Sequence, residues 1–164
     1  MKMTLLDLIE ENSVSPPVNV EAIIRGLGIE LNKKAELDAG IAGEIARLDS
    51  GKYRISANKD DHYFRQRFTL AHELAHFVFH RDLIGDGVDD DKLYRSTEGG
   101  NFYNTKIKKQ HETEANRFAA VILMPKDLVI AAFERQPDVK ALAKDFQVSP
   151  AAMEIRLRGL GSIN

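Results

Sequence analysis

Residues 65–80 read RQRFTLAHELAHFVFH and contain neither glycine nor proline. That composition predicts an uninterrupted helix. Residues 72–76 of this stretch, HELAH, form an HExxH motif. Side chains four residues apart lie one above the other on a helix, so His72 and His76 can direct two imidazole nitrogens at one metal ion. Glu73 is offset from that face, where it can avoid the ion yet take a proton from a neighbouring water molecule.

A third ligand is needed, and His80 is a poor choice although it continues the same row. On a continuous helix it would lie about 12 Å from His72 along the axis. Zinc–nitrogen bonds are about 2.0–2.1 Å long, so one ion cannot span all three histidines. His80 is expected either to support a ligand histidine or simply to pack beside it. The extended HExxHxxGxxH pattern also fails, because Phe79 and Asp82 stand where it requires glycine and histidine.

Glu112 is the better candidate, near the start of a second helix predicted over residues 111–124. Its carboxylate would complete a His-His-Glu set that leaves one coordination position open, as in catalytic zinc sites. Close approach of the two helices requires small residues between them. Alanines occupy the relevant faces of both: Ala71 and Ala75 on the first, Ala115 and Ala119 on the second.

Two other residues of the second helix are polar. Glu114 projects about 200° away from Glu112 around the helix and is expected to be a surface charge. Asn116 lies one turn beyond Glu112. It could accept a hydrogen bond from the distal N–H of a ligand histidine, or be an ordinary surface amide.

The remainder of the chain predicts an α+β fold, with helices packed around a small antiparallel sheet. Apolar spacing predicts two short amphipathic helices before the motif, and alternation predicts a first strand and a β-hairpin around Asp49-Ser50-Gly51. A polar connection and three short helices complete the chain. The predicted ranges are helices 4–12 and 18–27, strands 28–32, 41–48 and 53–57, connection 81–109, and helices 126–135, 139–146 and 150–160.

The chain of 164 residues is expected to form a single domain, with a core over about 18–125 and a helical tail over 126–164. It contains no cysteine, which excludes disulfide scaffolds, zinc ribbons and cysteine nucleophiles. Its 23 Lys and Arg nearly balance 25 Asp and Glu, so no global charge favours nucleic acid or a membrane surface. The sequence shows no targeting segment, and we expect a cytoplasmic location.

Three stretches together resemble the ImmA/IrrE family of zinc metallopeptidases: FTLAHELAH at 68–76, ETEANRFA at 112–119 and LMP at 123–125. The resemblance covers residues 18–125 well and the tail weakly. It implies a gluzincin-like site, in which one zinc ion is bound by two histidines and a glutamate. The implied roles are His72, His76 and Glu112 as ligands, Glu73 as general base, and Asn116 as a hydrogen-bonding support behind a ligand.

The same resemblance implies an endopeptidase that cleaves a protein substrate, a DNA-bound repressor of the Xre type. It also implies that the hairpin strand beside the HExxH helix binds the substrate by β-augmentation. An alternative is a regulatory module or toxin–antitoxin component that binds protein without cleaving it. An oxyanion-stabilising residue is also expected, and the sequence leaves five candidates open: His62, Tyr94, Arg95, Tyr103 and His111.

The tail resembles a helix-turn-helix, with Ser149 as N-cap and Pro150 in the first helical position. A recognition helix reads bases mainly with its first residues, whereas Arg156 and Arg158 come late. Residues 138–158 carry four basic and three acidic side chains, a poor balance for binding phosphates. We therefore expect the tail to be structural or to contact protein, with a DNA-binding regulator as the remaining alternative.

Overall fold

The computed structural model describes residues 2–85 and 106–164, together with the backbone of residues 87–90. The described helices are α1 (Leu5–Asn12), α2 (Val20–Gly26), α3 (Tyr63–Phe79), α4 (Arg81–Ile84), α5 (Lys109–Leu123), α6 (Lys126–Arg135), α7 (Val139–Phe146) and α8 (Pro150–Gly159). The described strands are β1 (Glu30–Ala35), β2 (Gly43–Arg47), β3 (Tyr53–Asn58) and β4 (Gly87–Asp90). The predicted α+β class is confirmed.

The four strands form one sheet in the order β1-β3-β2-β4. The predicted hairpin is present, since β2 and β3 pair antiparallel and Gly51 has a positive φ of 85° in the turn. The sheet is mixed, however, because β1 pairs parallel with β3. The expectation of a wholly antiparallel sheet was wrong on this point. Residues 36–42 connect β1 to β2 and leave a gap between these two strands. Strand β3 returns antiparallel to β2 and fills this gap, so it runs in the same direction as β1.

The fourth strand was not predicted. Residues 81–109 were expected to be a polar connection, yet they include helix α4 and strand β4. The sequence of β4, GVDD, does not alternate between apolar and polar residues. It forms a strand because it pairs with β2, and its own residues give no sign of one. Strand β2 consequently has β3 on one side and β4 on the other.

Helix α3 packs against α5, α2 and the central strands β2 and β3. Its residues from Thr69 to His76 are all buried, including the whole HExxH motif. Gly43 allows β2 to lie close to this helix. A Cβ at position 43 would clash with the Thr69 methyl group and lie 2.7 Å from the Ser56 carbonyl oxygen, with Glu73 Cγ 3.7 Å away.

Apolar side chains of the tail belong to the common core, and two arginines add hydrogen bonds between the tail and the rest of the domain. The guanidinium of Arg67, which is only 3% exposed, donates to the carbonyl oxygens of Phe146 and Gln147 in the turn between α7 and α8. Arg156 donates to the carbonyl oxygen of Met124 at 3.0 Å. The predicted cap is present, since Ser149 Oγ accepts from the N–H of Ala152.

None of the described helices is long and apolar enough to cross a membrane.

Replacing Gly43 by alanine is expected to destabilise the fold by about 1–3 kcal/mol, because a methyl group there meets backbone as well as a side chain. The measurement is urea unfolding of the full chain. Gly159→Ala is the matched control: it lies in α8 with nothing within 4 Å of an added Cβ, so its stability should be unchanged or rise by up to about 1 kcal/mol. Equal midpoints for the two variants would contradict the close approach of β2 and α3.

Replacing Arg67 by methionine is expected to lower the free energy of unfolding by about 1–3 kcal/mol, because it leaves buried carbonyl groups without their donor. Arg65→Met, on the same helix with a side chain 56% exposed, should cost less than about 1 kcal/mol. Thermal unfolding of both variants checks this difference. If Arg67→Met were as stable as Arg65→Met, the tail would not depend on this contact.

Candidate metal centre

His72, His76 and Glu112 are brought together by the fold. One ligand atom from each lies within 4.8 Å of the others. His76 Nε2 is 2.8 Å from Glu112 Oε1, and His72 Nε2 is 3.7 Å from Glu112 Oε2. The grouping proposed from the sequence is therefore present, with both imidazoles presenting the same nitrogen to one carboxylate.

Helices α3 and α5 position these three groups. The spacing of four residues aligns His72 with His76 on α3, while Glu112 lies in the first turn of α5. The two helices pack directly against each other, at a distance that depends on the side chains between them. All four alanines expected at this interface are completely buried: Ala71, Ala75, Ala115 and Ala119.

The cluster is buried on the α3 side and reaches solvent on the α5 side. His76 is fully buried and His72 is 8% exposed. The side chain of Glu112 is 23% exposed. Of the three residues, Glu112 is therefore the one most accessible to solvent.

The second nitrogen of His72 contacts Asn116. Nδ1 of His72 lies 2.7 Å from Asn116 Oδ1. An amide oxygen can only accept, so this contact places the imidazole proton on Nδ1 and leaves the lone pair of Nε2 facing Glu112. Asn116 is solvent-exposed yet hydrogen-bonded to His72, so it is more than a surface amide.

The second nitrogen of His76 contacts His80, whose Nδ1 lies 3.0 Å away. His80 is 5% exposed and follows the last residue of α3, where the backbone leaves helical geometry. Its ring therefore turns back towards His76. Burial lowers the pKa of His80 below its usual range, and the neighbouring His76 adds to this effect. Among the described residues, His80 is outside the group whose atoms could share one ion.

Two residues of α5 face His80. Glu114, expected to be a surface charge, is 53% exposed but also has Oε2 at 3.5 Å from His80 Nε2. The His111 ring lies 4.8 Å from the His80 ring, and its Nδ1 accepts the N–H of Lys108 at the start of α5. Neither contact is predictable from the sequence, because both depend on how α5 crosses the end of α3.

Glu73 is fully buried next to His72 on α3. Its proximity to Gly43 places its side chain against strand β2. Buried carboxylates are costly unless they are paired or lie beside a metal, so a buried glutamate at this point of the motif is consistent with a functional role.

The fold excludes one of the five candidates for the oxyanion-stabilising residue. His62 caps the N-terminus of α3 by accepting the N–H of Phe64, about 15 Å along the helix from His72. It is too distant for the role. His111 contacts His80, close to the cluster. Tyr94, Arg95 and Tyr103 lie outside the described residues.

The donor set fits a divalent metal of the zinc type. Two imidazoles and one carboxylate are the ligand types that zinc binds in catalytic sites, where three protein ligands leave one position open. Both histidines present Nε2 to the same carboxylate. Each also has a hydrogen-bonding group behind its Nδ1, as ligand histidines usually have.

Comparisons with known proteins agree with this geometry. The family model described as the IrrE N-terminal-like domain (Peptidase M78) matches residues 36–158. The radiation response metalloprotease IrrE of Deinococcus radiodurans is 37% identical over 81 residues, which cover 49% of this chain and 22% of that protein. A Mycobacterium tuberculosis transcriptional regulator of known structure aligns with a TM-score of 0.55 at 19% identity, over 84% of this chain and 39% of that one. The last likeness shows a shared fold, and the chain spans well under half of either relative.

Replacing Asn116 by leucine is expected to weaken zinc binding about 10–100-fold, because His72 loses the acceptor that fixes its tautomer. Competition with a chromophoric zinc chelator measures the change. Gln110→Leu is the matched control, an exposed amide in the first turn of the same helix, and should bind zinc as the wild type does. Unchanged affinity in Asn116→Leu would contradict a supporting role for this residue.

Proposed function

This chain belongs to the family of the IrrE N-terminal-like peptidase domain, whose model matches residues 36–158, and we propose that it is a zinc-dependent endopeptidase. The proposal rests on one observation: ligand atoms of His72, His76 and Glu112 lie within 4.8 Å of one another. The three residues belong to two helices and are separated by a long connection in sequence, so only the fold brings them together.

In this proposal His72, His76 and Glu112 hold one zinc ion. When bound in such a site, zinc acts as a Lewis acid towards the scissile carbonyl and makes water a nucleophile at neutral pH. The chain's own contribution is to orient the ligands. Asn116 and His80 lie behind the two imidazoles, and the packing of α3 on α5 sets the distance to the carboxylate.

Glu73 is proposed as the general base. It follows His72 directly, is fully buried, and has its Cγ close to Gly43 of β2. There it would accept the proton of the attacking water and then transfer it to the leaving amine. A glutamate serves both steps because its carboxylate can accept and return one proton.

The proposed substrate is a protein, and specifically a DNA-binding repressor of the Xre type. Support comes from the family resemblance and from the disposition of the tail. Arg156 is used to bind the carbonyl oxygen of Met124, and Arg158 donates to Glu154 and to the carbonyl oxygen of Asn164. Arg156 is thus used within the protein, which leaves Arg158, with a side chain 55% exposed, as the one of the two that could meet a phosphate, and this favours a protein partner over direct DNA binding. A cytoplasmic location, where such repressors act, is part of the same proposal.

The way a substrate strand would pair has to be revised. The resemblance implied that the hairpin strand beside α3 accepts the substrate by β-augmentation. Strand β2 is already paired with β3 and, along residues 43–46, with β4. Among the described strands β4 is the outermost on this side, so a substrate that extends the sheet there would pair with β4 or take its place.

Replacing Glu73 by glutamine should lower cleavage about 10²–10⁴-fold while zinc is retained, because only the proton-accepting group is lost. Replacing Glu112 by alanine should instead weaken zinc binding itself. The assay incubates zinc-loaded protein with a purified Xre-type repressor and detects fragments by mass spectrometry. Glu134→Gln, an exposed glutamate of α6, is the control and should cleave at the wild-type rate.

Undiminished cleavage by Glu73→Gln would contradict the proposed mechanism. A repressor that binds the zinc-loaded wild type but stays intact over long incubation would contradict endopeptidase activity towards it.

A further inference from the structure

We propose that His80 is a positioning residue for His76, and that it acts as a hydrogen-bond acceptor for the imidazole of that ligand. The inference rests on the proposed function, since it concerns how the chain prepares His76 for the metal. It starts from the 3.0 Å contact between the two Nδ1 atoms.

The tautomer of His76 follows from its proposed role as a metal ligand. Its Nε2 lies 2.8 Å from Glu112 Oε1, on the side where the three candidate ligands meet. A neutral imidazole that binds a metal through Nε2 carries its single proton on Nδ1. His76 must therefore donate from Nδ1, and the atom opposite Nδ1 must accept.

The atom opposite is Nδ1 of His80, so the tautomer of His80 follows as well. A neutral imidazole that accepts at Nδ1 carries its proton on Nε2. Nε2 of His80 faces Glu114, whose carboxylate oxygen is 3.5 Å away and can only accept. At 3.5 Å this is a charge contact and not a hydrogen bond, but a carboxylate beside Nε2 is compatible with a proton on that nitrogen.

The position of His80 is well defined by the fold. Its N–H donates to the carbonyl oxygen of His76 at 2.9 Å, which ties its backbone to the last turn of α3. Its ring packs against His111 and is almost completely buried. A rigid acceptor behind a ligand histidine fixes the direction of its metal-binding nitrogen, and loss of such an acceptor typically costs 10–100-fold in metal affinity.

Two substitutions separate hydrogen bonding from packing. His80→Phe keeps an aromatic ring of similar size but has no acceptor. His80→Asn loses much of the ring volume but keeps an acceptor oxygen at the δ position, where the Nδ1 of histidine lies. If His80 positions His76, the asparagine variant should be the better zinc binder. If His80 only fills space, the phenylalanine variant should bind zinc more tightly than the asparagine variant.

The experiment measures the zinc dissociation constant of the full chain by chelator competition. We expect His80→Phe to bind zinc about 10–100-fold more weakly than the wild type and His80→Asn to stay within about threefold of it. The cobalt(II)-loaded forms give a second readout, because a misdirected ligand changes the visible absorption band. His62→Phe and His62→Asn, at the other end of α3, are matched controls and should leave the zinc dissociation constant unchanged.

The proposal is overturned if His80→Phe binds zinc as tightly as the wild type, or if His80→Asn binds as weakly as His80→Phe.

Should a variant not fold, the wild type itself provides the test. Long-range ¹H–¹⁵N spectra of the zinc-loaded protein should show protons on His76 Nδ1 and His80 Nε2, and a proton on His80 Nδ1 would overturn the inference. A wild type that binds no zinc would contradict both the proposed function and this inference. If the wild type binds zinc but His80→Phe binds it more tightly than His80→Asn, only this inference is contradicted.

Discussion

The close packing of α3 on α5 is the interaction on which the candidate centre depends. Two imidazoles on one helix cannot make a three-ligand site alone, and the carboxylate of Glu112 reaches them because α5 packs directly against α3. The four alanines of these helices are completely buried, and the distance between packed helices follows the side chains at the contact. The site is therefore sensitive to core residues that carry no chemical function of their own.

A second constraint acts on the other side of α3. Gly43 lets strand β2 lie against the helix, and this contact encloses Glu73 between the helix and the sheet. Arg67, on the same helix, binds the turn between α7 and α8. Helix α3 is thus the element against which the sheet, α5 and the tail are all placed. The HExxH motif thus lies at the centre of the core.

The sequence predicted those parts of the molecule whose signals are local. Helical periodicity and the HExxH spacing located α3, and the glycine turn located the hairpin. The third candidate ligand, Glu112, was also found, because its helix carries alanines at the right spacing. Strand β4 and the parallel pairing of β1 were missed, since both depend on which strands meet rather than on their own residues. The contact of His80 with His76 arises where α3 ends, so helical spacing alone left its role open.

The proposed binding of one metal ion by His72, His76 and Glu112 can be tested by anomalous X-ray diffraction from zinc-saturated crystals. We expect a single strong zinc peak at about 2.0–2.2 Å from Nε2 of both histidines and from a carboxylate oxygen of Glu112. A peak bound by other residues, or none at this cluster despite saturating zinc, would contradict it.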